Sequence, residues 1–203
     1  IRTAQEILIG ADSKGTIGGN KNKIINVCKI RQFGGSFCAF SGLGDVPETH
    51  FKVWNITTNA FRCGNTLLEK INAFETLITA PLSEGLHYVR EVNPAHFKRS
   101  FDTADKVVLE MIFATVEDGI PKIFLRSFQM SSADPITFNI HKKSCPGTCP
   151  TGRSVYFLGQ KEAMMKYYDE HPEIQKARLD VAIDTLIRVA INNSGDEVGL
   201  PID

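Results

Sequence analysis

Cys145 and Cys149 are two closely spaced thiols in the turn-rich run Ser144-Cys145-Pro146-Gly147-Thr148-Cys149-Pro150. Such a pair reads as a small disulfide-closed loop or as two free thiols. A metal site would need two further soft ligands nearby, and the sequence supplies none. Cys28, Cys38 and Cys63 make the cysteine total odd, so no tidy disulfide framework follows. His50, His87, His96, His141 and His171 are scattered without metal-ligand spacing. There is no P-loop, no G-x-G-x-x-G and no G-x-S-x-G, which removes the phosphate cradle and the serine elbow. Taken singly, Asp12 reads as an Asx-type turn former at a strand end. Lys29 reads as a solvated strand-end lysine, Gly42 as a turn glycine and Ser154 as a loop serine. Asn55-Ile56-Thr57 and Asn192-Asn193-Ser194 match a glycosylation triplet that arises often by chance.

The composition bounds what these groups can serve. The chain has 203 residues, 42% hydrophobic and 23% charged, which is enough for one large domain with a substantial core. Lysine plus arginine and aspartate plus glutamate both total 23, so bulk electrostatics gives no grip on nucleic acid. Apolar runs such as Ile7-Leu8-Ile9 fall far below the ~18–20 residues that span a bilayer, so no membrane partner is expected. No signal peptide opens the chain. It begins at Ile1 rather than Met, which reads as a processed or truncated start. The close cysteines and that start lean toward a periplasmic or extracellular location over a cytoplasmic one.

The elements that would position these residues follow from local pattern. Glu6–Asp12 reads as a buried strand and 13–22 as a Gly- and Asn-rich loop. Lys23–Ile30 and Ser36–Ser41 read as further strands around a break at Phe33-Gly34-Gly35-Ser36. Helical spacing of Phe51, Trp54, Thr58 and Phe61 predicts a helix from Pro47 to Arg62. Asn65 is placed to cap a second helix over 66–79, and 81–101 reads as a third helical region broken by Gly85 and Pro94. Val107–Val116 and Pro121–Met130 flank Asp118-Gly119, a strong hairpin signal. Strands are expected at 136–141 and 155–158, then helices at 161–170 and 173–192, the last with Leu179, Ile183, Leu186 and Ala190 on one face. Antiparallel strand clusters with segregated helices make the class α+β. Two helix groups outside packed sheets suggest four layers.

Four stretches carry a family resemblance. Ile7-Leu8-Ile9-Gly10-Ala11-Asp12-Ser13-Lys14 resembles the apolar-Ala-Asp-Ser-Arg signature of proteasome-type N-terminal-nucleophile hydrolases. Cys28-Lys29-Ile30 and Phe40-Ser41-Gly42-Leu43-Gly44-Asp45 follow in family order. Glu197-Val198-Gly199-Leu200-Pro201-Ile202-Asp203 resembles the close of uncharacterised bacterial proteasome-like proteins, to which the chain is more similar than to true proteasome subunits. The resemblance implies a single αββα domain over 1–203, with a helical elaboration around 64–101.

It also implies a chemistry without cofactor or metal. The first residue of the mature chain attacks an amide carbonyl, and its own α-amine, titrating near ~7.7–8.0, serves as base. By position, Asp12 is the orienting carboxylate and Lys29 the cation that lowers the nucleophile's pKa. The Gly42 backbone N–H is the oxyanion donor. Ser154 and Asp196, with Ser194, are the groups expected near the amine. Ile1 is not a nucleophile, and the family spacing puts that residue upstream of it. Three readings follow: a peptidase or amidohydrolase acting on a peptide or small amide, a noncatalytic subunit assembling with itself into rings, stacks or filaments, and a small-molecule binding module.

Overall fold

The computed structural model describes residues 1–11, 14–17, 20–26, 28–101, 106–149, 152–159 and 161–193, with 14–17 and 20–26 described by their backbone. Nine strands and six α-helices are found among these residues, and the class is α+β. A five-stranded sheet has the order β3(Ile30–Phe33)-β4(Ser36–Gly42)-β7(Val107–Glu117)-β8(Ile120–Ala133)-β9(Ile136–Cys145). Two-stranded ribbons pair β1(Lys14–Ile17) with β2(Asn20–Asn26) and β5(Asp45–Val46) with β6(Phe51–Lys52). The chain divides into two compact units, one of residues 1–39, 114–123 and 144–203, the other of 40–113 and 124–143.

The second unit is organised by a long helix, α2(Leu67–Val92). Leu67, Ile71, Phe74, Ile78, Leu82 and Leu86 recur at three- and four-residue steps and are all buried, so one apolar stripe runs from its first residue to Leu86. That stripe explains why Pro81 and Gly85 do not divide the helix as the sequence pattern suggested. Pro81 removes one backbone hydrogen bond, and the buried residues on both sides hold the two halves in line. Gly85 has its own reason: a Cβ there would lie 3.3 Å from Val46 Cγ2 and 3.6 Å from the Phe51 ring, so glycine lets the helix rest on the β5–β6 ribbon. Pro94 does interrupt, and α3(Pro94–Ser100) starts there with Asn93 accepting from the His96 N–H. On the sheet, Phe113 and Phe128 meet Phe74 edge to face at 5.4 and 6.2 Å between ring centres.

The expected helix from Pro47 is mostly something else. A short 3-10 turn at Pro47–Thr49 ends on His50, whose φ of +59° turns the chain into β6 before α1(Val53–Ala60) begins. Threonine, not Asn65, caps α2: Thr66 Oγ1 accepts from the Glu69 N–H, and Glu69 reaches back to the Thr66 N–H.

In the first unit, residues 6–11 form no named strand, and β1 and β2 occupy much of the stretch read as a loop, with Gly18-Gly19 between them in sequence. The β7–β8 turn matches its signal: Asp118 and Gly119 have φ of +53° and +74°, the two left-handed residues that a tight hairpin needs. Residues 155–158 are not a strand; only Ser154 makes an isolated bridge. The last expected helix is divided into α5(Pro172–Lys176) and α6(Leu179–Asn193), preceded by α4(Glu162–Glu170). Ile1, Ile174, Leu179, Ala182 and Leu186 form the core of this unit.

Candidate functional site

The leading segment is clamped from both sides. The Ile1 nitrogen donates to the Leu8 carbonyl at 2.7 Å, and the Leu8 N–H donates to the Ile1 carbonyl at 2.9 Å. Between them, Thr3 Oγ1 accepts from the N–H groups of Gln5 and Glu6, a side-chain turn that folds the segment back. On the other side, Arg2 and Ser154 exchange two backbone hydrogen bonds, both 2.8 Å. Arg2 Nε donates to the Pro121 carbonyl at 2.7 Å, so a buried guanidinium anchors the segment to the start of β8. Gly10 then passes close over α6: a Cβ there would meet Ile187 Cδ1 at 2.8 Å and Ile183 Cδ1 at 2.9 Å.

Ser154 is thus held beside the first residues of the chain. It is buried, and its Oγ makes no hydrogen bond of good geometry. A buried hydroxyl left in that state carries a desolvation cost. Lys29 is half-buried in the short link between β2 and β3, where the neighbouring Cys28 Sγ donates to the Ile30 carbonyl at 2.8 Å. Asp12, Asp196 and Ser194 lie outside the described residues.

Gly42 belongs to the second unit, at the end of β4. Its φ is +99°, and a Cβ would fall 2.2 Å from the Val108 carbonyl oxygen. The adjacent Leu43 N–H donates to that same oxygen at 2.9 Å. Close approach of β7 therefore demands glycine here whatever else the position does. Beside it in the sheet, the buried Glu110 carboxylate accepts from Ser41 Oγ at 3.4 Å and from Ser127 Oγ at 3.5 Å, bringing together a polar group that sequence reading did not single out. The hydrophobic strand pattern around Glu110 was the available signal: one carboxylate inside a run of buried residues.

Two further features of the first unit went unread. Arg153 Nη1 donates to the carbonyls of Gln175 and Ala177 at 3.0 and 2.6 Å, closing the end of α5 as basic side chains do at helix C-termini. Its Nε and Nη2 are buried with no hydrogen-bond partner among the described residues. Tyr156 sets its hydroxyl against both sulfurs of a Cys145–Cys149 disulfide, so of the two readings of that cysteine pair the bridge is the one found. Burial pushes the Tyr156 phenol up, against the opposing pull of the Ser154 hydroxyl and the Arg2 charge. Of the free cysteines, Cys28 and Cys63 are exposed, whereas burial pushes the Cys38 thiol up and keeps it protonated.

No group of three His, Cys, Asp or Glu side chains able to hold a metal ion occurs among the described residues. No described helix is long and apolar enough to cross a membrane. No protein-family model matches the chain, and no curated protein matches it.

Proposed function

We propose that the chain is a proteasome-like N-terminal-nucleophile hydrolase domain, built as a four-layer αββα sandwich, that cleaves an amide bond. The observation that carries this reading is the clamp on the leading segment. Two 2.8 Å hydrogen bonds tie Arg2 to Ser154, whose hydroxyl is buried and without a well-formed bond. A nucleophile a few residues upstream of Ile1 would enter along that clamped segment. Its hydroxyl or thiol would attack the carbonyl while its α-amine takes the proton. Lys29 would hold the nucleophile's anionic character, with Asp12 orienting the ammonium. Ser154 and Asp196 would steady the amine.

The test has two parts. Intact mass and N-terminal sequencing of the full-length protein should find a processed Thr, Ser or Cys shortly before Ile1. Turnover of a panel of peptidyl amides should fall at least ~100-fold in Lys29→Ala, as loss of a group that promotes proton transfer does, while the far-ultraviolet circular dichroism and the oligomeric state stay unchanged. Undiminished turnover in Lys29→Ala removes that residue from the chemistry. A protein that assembles with itself, keeps an unprocessed leading segment and cleaves no amide is the noncatalytic subunit instead.

A further inference from the structure

The proposed hydrolase leaves one reactive cluster unused, the disulfide loop at the end of β9. Cys145 is 2% exposed, Cys149 is only half-buried, and Pro146, Gly147 and Thr148 between them are exposed. The loop is braced by the Thr148 N–H donating to the Ser144 carbonyl at 2.9 Å and by the Ser144 N–H donating to Thr148 Oγ1 at 3.1 Å. The two cysteines are therefore unequally exposed, and a hydroxyl donor, Tyr156, lies in contact with both sulfurs.

We propose that the Cys145–Cys149 bridge is a thiol-exchange site: a small thiol attacks the accessible sulfur of Cys149, and the Tyr156 hydroxyl stabilises the Cys145 thiolate that leaves. Exchange runs by thiolate attack on one sulfur of a disulfide, and its rate depends on which sulfur can be reached and on how well the leaving thiolate is stabilised. The exposed loop meets the first condition and Tyr156 the second. In the first step a bond forms between the incoming sulfur and Cys149 Sγ, and the Cys145–Cys149 bond breaks with its electron pair on Cys145 Sγ. Tyr156 donates a hydrogen bond to that thiolate, which then takes a proton from water. In the second step another thiolate attacks the foreign sulfur of the mixed disulfide, and Cys149 leaves and is protonated. Two thiols are oxidised to one disulfide while the protein bridge is reduced to two thiols. The raised phenol pKa keeps Tyr156 protonated, and hence a donor, at neutral pH. None of this depends on the hydrolase reading.

The experiment uses the full-length protein with Cys28 and Cys63 first blocked by iodoacetamide. Reduced glutathione is added at graded concentrations with fresh alkylating agent, and the products are located by peptide mapping. The expected first product carries glutathione on Cys149 and an alkyl group on Cys145. Tyr156→Phe should slow bridge opening about tenfold, the effect of one hydrogen bond to a charged group. The buried Cys38 reports unfolding. A bridge that opens only when Cys38 is also labelled, or glutathione found first on Cys145, overturns the proposal. Tyr156→Phe opening at the wild-type rate overturns the role of the tyrosine. Should that variant not fold, the position of the first adduct in the wild-type protein still decides the matter.

Discussion

The two units bury side chains of different kinds. Among the described residues the largest fully buried side chains, such as Phe51, Phe74, Phe113, Phe128, Leu82 and Met111, all lie in the second unit. In the first unit Ile1, Ile174, Leu179, Ala182 and Leu186 form one cluster of smaller side chains, most of them still slightly exposed. Yet that unit holds the clamped leading segment, Ser154, Lys29, and the Cys145–Cys149–Tyr156 cluster. Both units bury polar groups; the second surrounds its own with large apolar side chains, and the first holds Arg2 and Ser154 together by backbone hydrogen bonds. Apolar burial is the dominant favourable term in folding, so in the region with less of it each unsatisfied polar atom takes a larger share of the margin.

The sharpest way to break this contrast is to remove one side chain from each core. Phe74→Ala opens a hole between Phe113 and Phe128 and should cost about 3–5 kcal/mol in urea unfolding. Ile174→Ala, at 8% exposure in a smaller cluster, should cost less, about 2 kcal/mol. Equal losses would mean that the first unit is packed as tightly as the second.

The second unit also holds a buried charge group that packing alone would not require. Arg126 Nε donates to Glu75 Oε1 at 2.5 Å, and Lys142 pairs with the other carboxylate oxygen. The Arg126 and Glu75 side chains are 5% and 10% exposed, while Lys142 is 52% exposed. Glu75→Leu strands the arginine inside and should cost about 3 kcal/mol. The double variant Glu75→Leu/Arg126→Met removes both buried charges and should recover most of the loss, since apolar replacements of a buried pair are often neutral. A double variant as weak as the single one would assign the cost to lost packing.

The sequence was most legible where pattern and packing agree. The Asp118-Gly119 hairpin, the strands β7 and β8, and the apolar face of α6 can be read from residues alone, because local turn chemistry and side-chain periodicity decide them. Pro81 and Gly85 mislead because their local penalties are outweighed by a stripe of buried residues that spacing alone does not weigh. Residues 155–158 mislead the other way: an apolar run with strand-like composition pairs with no strand among the described residues and stays irregular, and only the preceding Ser154 bridges to Arg2. Lys29 and Gly42 are named only by the family resemblance, and the glycine at 42 is required in any case by the close approach of β7. The nearness of Ser154 to Arg2 spans most of the chain, and the contact of Tyr156 with the disulfide depends on how the loop folds. No local signal encodes either.

The smallest effect concerns how the helices of the two units begin. In the second unit, α2 opens with a full capping box, and the N–H groups of Thr66 and Asn65 donate to Glu69 Oε2 at 3.0 and 2.7 Å. In the first unit, α5 opens at Pro172 with no side-chain cap. Thr66→Ala should therefore lower stability by about 1 kcal/mol at neutral pH. Hydrogen bonds from Thr66 first and Asn65 next hold the Glu69 carboxyl below its ordinary value. A carboxyl depressed on folding contributes stability above its unfolded pKa of about 4.3, and that contribution is lost as the pH falls through the lower folded value. Glu69→Gln keeps the shape and removes the charge. Its unfolding free energy should fall below that of the wild type at pH 7, and the gap should narrow as the solution is acidified past the folded pKa of Glu69. A gap that stays constant across that range would show that the carboxylate's charge adds nothing to the cap, and that Thr66 alone separates the start of α2 from that of α5.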